Sequence, residues 1–474
     1  MQVLGVERCR LRIVRSAPGN ARGSGTVGVV HPSLRLPLSA IGLIAGFVAA
    51  ACTSVPPEEL SVPLPTTTVE SESAPVAEME SESTAGSDVS PDTPAVAGEL
   101  AIGGLEGMVV ADASGAVVRS AFPNGVATQP TWSRAGDRAI SFVPSATGGS
   151  VVVSAGDDAF AVGARRPYFF FSWSGDGAYV AALGPGPRGT SLDILTPEGE
   201  LATDATIDTG SFYLAWEPGG DDLVVHLDDE LFLLRDPRDL ETRESLGTPG
   251  QSFLAPVWIP ETRHIVIVDD VDGSDEGRLI RLDVDDRSEQ DLGPVRGGVG
   301  MTVSPDATRL FVSHGGPDSE RGNGIEISMG SVSRPVQETL AASEVIVLET
   351  GDRTAVSDEP SIWAEWAPDG SALALLQPVS QGARWLIADE RGLRELGTIQ
   401  ATPTFLRNYL FFSWQYVESP RIWAPDADAI VYAAVEAGVP GIYVHPLNGE
   451  RVRVSDGDVA FFSPRTDSAT VLPA

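Results

Sequence analysis

The chain of 474 residues carries 66 acidic against 32 basic side chains, a formal net charge of −34. A surface this negative repels phosphate backbones, which excludes nucleic acid as a partner. Arginine supplies every basic charge, so a phosphate loop built on lysine is excluded too. Cysteine occurs only at Cys9 and Cys52, so no disulfide or thiolate metal site can form in the rest of the chain.

Residues 1–35 are basic, with Arg8, Arg10, Arg12, Arg15, Arg22 and Arg35, and an apolar run from Leu36 to Ala51 ends in Ala49-Ala50-Ala51-Cys52. The run is shorter than the roughly 20 apolar residues a spanning helix needs, an uncleaved anchor being the alternative. Basic stretch, short apolar core and small residues before a cysteine resemble a bacterial lipoprotein signal. The resemblance implies a signal peptide over 1–51, a diacylglycerol on the Cys52 sulfur, and attachment to the extracytoplasmic face of the cell membrane. One departure is Ala49, where leucine is usual in such signals. Residues 52–100 are rich in Ser, Thr, Pro and Glu and lack arginine; they cannot offset chain entropy by burying apolar surface, and are expected to be a disordered linker.

Strands are expected from about Ile102, and the propeller domain over 101–474. One pattern recurs: an aromatic or apolar residue ending a strand, a tight turn, then an alternating strand. It appears as Trp132-Ser, Trp173-Ser-Gly-Asp, Trp216-Glu-Pro-Gly, Trp258-Ile-Pro-Glu, Val303-Ser-Pro-Asp, Trp366-Ala-Pro-Asp-Gly, Trp423-Ala-Pro-Asp and Phe462-Ser-Pro-Arg. Proline presets φ at the first central position, while aspartate and glycine suit the positions that follow. The early spacing of about 40–45 residues is that of propeller blades. Outer hairpins are expected over Gly107–Ser120 and Gly441–Val454. The first has no tryptophan strand before it, and the Phe462 turn has no hairpin after it. One blade is thus expected to be split between the chain ends, closing a ring of eight four-stranded blades, or seven if the Phe462 unit is only a closing strand. The tryptophans are expected to be buried between blades.

The units Trp366 to Gly370, Trp423 to Asp426 and Gly441 to Val444 resemble the repeats of TolB-like, WD-repeat-like β-propellers. The resemblance covers residues 102–474 and implies an all-β, monomeric propeller. TolB's separate N-terminal domain and the hydrolase domain of related prolyl oligopeptidases have no counterpart, so neither activity is carried over.

Two gaps exceed the blade period, 314–343 and 402–420. In the second, Arg407, Tyr409, Trp414 and Tyr416 form a candidate contact patch for a protein or carbohydrate; the plainer reading is a satellite core under a neighbouring blade. Chemistry is sparse. No Gly-x-Ser-x-Gly elbow or His-Glu-x-x-His occurs. Asp272, Ser274, Glu276 and Asp283 have a spacing like a Ca²⁺ loop, but the segment reads more simply as an acidic hairpin turn, and no cofactor is expected. These features favour an exported, lipid-anchored, non-catalytic module that binds an envelope protein or polysaccharide. A propeller hydrolase or lyase acting on glycans or lactones, and the ectodomain of a sensing or transport-associated complex, are the alternatives.

Overall fold

A computed structural model of the protein describes residues 95–471, apart from 105–106, 123–125, 147, 211, 228–229, 248–254, 271–275, 297, 317–341, 411–413, 415–419 and 467–468. Eight antiparallel sheets form a β-propeller. Blade 2 shows the pattern: Thr128–Trp132 is innermost, followed outward by Arg138–Ser145, Gly148–Ala155 and Asp158–Gly163. Blades 3 to 7 begin at Phe170, Phe212, Val257, Gly298 and Trp363 and repeat that order. In blade 8 the innermost strand shrinks to a bridge between Trp423 and Ile430 beside three full strands.

The ring closes in blade 1. Its innermost strand, Val459–Phe462, comes from the tail, and Glu99–Gly104, Gly107–Asp112 and Val117–Phe122 come from the head. Leu100 lies opposite Phe462. The expected linker boundary at residue 100 is corrected: Ala95–Ala97 is already a strand, paired with Ala469–Val471. Leu100, Ala101 and Ile102 are buried on both faces, so no alternation marked that strand in the sequence.

The recurring turns share one geometry. In blade 2, Ser133 N donates to Arg138 O at 2.8 Å and Gly136 N to Ser133 O at 2.9 Å. The same two bonds recur at Ser174, Ser304, Ala367 and Ala424. Beside each turn, the tryptophan is set by its neighbour. The indole N–H of Trp173 donates to Thr131 O (3.2 Å), that of Trp216 to Ser172 O (3.0 Å), and that of Trp258 to Ala215 O (2.9 Å). Trp366 reaches Thr302 O, Trp423 reaches Glu365 O, and Trp132 reaches Phe461 O across the closure. Each acceptor directly precedes the equivalent residue of the previous blade. The interfaces at Val303 and Phe462 lack this bond because neither side chain has a donor.

Topology gives the ring two distinct faces. In each blade the connections from strand 1 to 2 and from 3 to 4 lie at one end. Those from 2 to 3, and from 4 to the next blade, lie at the other. The head of the folded chain therefore meets the ring at the turn face, where a Cβ on Gly98 would lie 2.8 Å from Pro425 in blade 8's turn. Both long gaps leave from the opposite face: 317–341 joins strands 2 and 3 of blade 6, and 402–420 joins blades 7 and 8.

Candidate functional site

Residues 402–410 and Trp414 lie against the blades at the face opposite the turns. Thr402 caps a short helix, Pro403–Asn408, its hydroxyl accepting from Phe405 N at 3.2 Å, and Pro403 takes the first turn, where a missing N–H costs nothing. The same hydroxyl donates to Asp458 O, just before blade 1's innermost strand. Phe405 packs on Trp363 of blade 7 (ring centroids 5.6 Å) and Tyr409 on Phe461 of blade 1 (4.9 Å). Gln129 of blade 2, held at φ 55°, donates its amide to Asn408 O at 3.3 Å. Trp414 stacks on Phe311 of blade 6 and lies so close to Gly300 that a Cβ there would strike its ring. These contacts fall on blades 6, 7, 1 and 2, with blade 8 between the second and third of them.

The sequence-derived patch thus divides. Arg407 is exposed and Tyr409 is buried; burial raises the Tyr409 phenol well above its ordinary range. Trp414 is half-buried against blade 6, and Tyr416 lies outside the described residues. Thr402→Val should remove the cap and the Asp458 contact and destabilise by about 1 kcal/mol. Urea denaturation would measure it, with Arg407→Ala within about 0.5 kcal/mol of the parent.

The calcium reading needs correction in its residue set. Asp272 and Ser274 lie outside the described residues. Glu276 and Asp283 are the first and last residues of one strand. Seven steps of about 3.3 Å part them by roughly 23 Å, so they cannot share one ion. Asp283 instead accepts from Asp285 N and Asp286 N, closing a turn. Cys52 lies outside the described residues.

Sequence reasoning missed three ionisable groups held inside the sheets, Asp193 and Glu344 buried and Glu365 half-buried. Glu365 stands on blade 7's innermost strand, both carboxyl oxygens accepting from Ile422 N of blade 8 at 3.2 and 3.1 Å. Burial pushes it up to about 8, against the pull of the Ile422 amide and Arg421. Asp193 in blade 3 is fully buried, accepts from the Tyr168 hydroxyl at 2.8 Å and pairs with Arg166 at 2.7 Å. In blade 6, Glu344 bonds His314 Nε2 at 2.8 Å and accepts from Arg353 at 2.7 Å. Because His314 Nδ1 accepts from Arg296 N, its Nε2 carries the proton. No sequence signal separates these from surface charges, since their partners lie on other strands. The last two clusters are closed sets of partners and read as structural.

No family model matches the chain, and no curated protein matches it. Solved structures do. The chain is similar to dihydro-heme d1 dehydrogenase NirN in complex with DHE, at 14% identity and a TM-score of 0.51, covering 77% of this chain and 75% of that one. A eukaryotic initiation factor matches at 10% identity and 0.50, over 78% of this chain and all of the other. TolB from Acinetobacter baumannii matches at 14% and 0.37, over 69% and 82%. At such identities the first two likenesses bear on the fold alone, and none of the three carries an activity to this chain.

Proposed function

We propose that the chain is a non-catalytic binding propeller, held at the outer face of a bacterial membrane by a lipid on Cys52, that presents the face opposite its turns to an envelope protein or polysaccharide. One observation carries this reading. The head of the folded chain meets the ring at the turn face, while both long connections leave from the other face. A tether on the head side would direct the insert-bearing face away from the membrane, where loops on a rigid scaffold serve recognition. Aromatic packing by Phe405, Tyr409 and Trp414 across the ring's inner ends favours a covered surface over an open catalytic mouth there.

Cys52→Ser should release the protein from the membrane fraction. In the intact, anchored chain, a photo-crosslinker at Arg407 should capture an envelope component, and one at Asp369 on the turn face should not. Capture from Asp369 alone, or cleavage of a glycan or lactone by the purified chain, would overturn the reading.

A further inference from the structure

The outer strands of the propeller are not equally protected. An unpaired edge invites a foreign strand, and proteins blunt it with bulges, charges, prolines or brevity. In blades 1, 4, 5, 6, 7 and 8 the pairing of the outermost strand contains a register shift. In blade 3 that strand has three residues. Blade 5's edge is also covered, Arg353 of blade 6 donating to Leu292 O and Pro294 O at 2.9 and 2.8 Å.

The outer strand of blade 2 has no bulge, proline or shortening, and its one charge, Asp158, stands at the first residue. Asp158–Gly163 runs six residues in unbroken register against Ser150–Ala155. After Asp158 it reads Ala-Phe-Ala-Val-Gly, the longest uncharged run in any outer strand among the described residues. Val162 apart, the whole strand is exposed. Phe160 is 41% exposed, and the neighbouring outer strand of blade 1 adds Val117 at 60% and Val118 at 53%.

Hairpin geometry fixes which backbone groups are free. Ala155 lies opposite Asp158 across a two-residue turn, so Asp158, Phe160 and Val162 bond inward. The N–H and C=O groups of Ala159, Ala161 and Gly163 therefore point away from the sheet. These three side chains are small, so a strand can approach without obstruction.

We propose that blade 2 binds an extended peptide segment of another protein by β-strand addition at Asp158–Gly163, and that this segment is apolar at alternate positions and basic between them. The backbone groups call for a strand. Charge selects which one: exposed Asp157 and Asp158 begin the edge, and the chain carries −34 overall. A second copy would oppose like charge with like. The site lies on the rim and needs neither the lipid nor the insert-bearing face, so it stands apart from the function proposed above.

The test uses a fluorescent ten-residue peptide of alternating valine and arginine, with a valine–glutamate peptide as control. The basic peptide should bind the full chain and slow hydrogen exchange at Ala159, Ala161 and Gly163, and the acidic one should not. Ala161→Pro removes an outward N–H while leaving the inward ladder intact. It should weaken binding at least tenfold with an unchanged thermal midpoint. If that variant fails to fold, Ala161→Lys should weaken binding in the same way. Equal binding by the edge variants, or unprotected amides in the complex, would overturn the proposal. So would a dimer in sedimentation that Ala161→Pro dissolves, since the edge would then belong to a second copy.

Discussion

Trp216→Ala should destabilise the propeller by about 3–5 kcal/mol, the usual loss on emptying a large aromatic site. Trp216 is 2% exposed and packs with Leu214, Leu223 and Leu234 where blades 3 and 4 meet. Trp216→Phe separates two effects. It keeps most of the apolar contact but removes the indole bond to Ser172 O (3.0 Å), a carbonyl that stays paired with Ala181 across the blade 3 ladder. Losing one such hydrogen bond costs about 0.5–1.5 kcal/mol, so apolar packing accounts for the larger share. Denaturant midpoints at unchanged slope would measure both losses. Equal losses for the two variants would mean that the hydrogen bond, and not the ring's bulk, holds the interface.

The second large effect depends on pH. The folded-state pKa of Glu365 is about 8, against an ordinary 4.5. Below 4.5 both folded and unfolded states hold the proton, and the group is neutral in its effect. Between 4.5 and 8 the unfolded chain releases the proton while the folded one keeps it, so each pH unit removes about 1.4 kcal/mol of stability. Above 8 both are ionised and the loss levels off at no more than about 5 kcal/mol. Glu365→Gln cannot ionise and still offers an oxygen to Ile422 N. It should match the parent near pH 4.5 and exceed it in thermal midpoint at pH 8. A variant less stable than the parent at pH 8 would show that the carboxylate is satisfied by Arg421 and the Ile422 amide.

The architecture was legible in the sequence because its determinants are local and repeated. A tryptophan, a Pro-Asp-Gly turn and an alternating strand form a unit that each blade states afresh, so Val303 and Phe462 could be placed by position alone. The head-to-tail blade was readable from a missing strand at one end and a missing hairpin at the other. Its second strand was not, because Glu99–Gly104 is buried on both faces and ends in two glycines. The candidate site was legible only as a departure from the period. Composition marked 402–420 as aromatic, but whether Tyr409 meets solvent or Phe461 depends on a strand some fifty residues away. The same holds for Asp272 to Asp283: spacing suggested convergence, and an extended backbone pulled Glu276 and Asp283 apart.

Closing the circle with Val459–Phe462 has a consequence for how the protein is made. That strand leaves the ribosome only after blades 2 to 8, whereas its partner Glu99–Gly104 emerges before them. Until then blade 1 alone has no inner strand, and the cost of joining such distant segments falls on that closing step. The ring stays open until Val459–Phe462 has been made, so the other blades can form before the circle shuts.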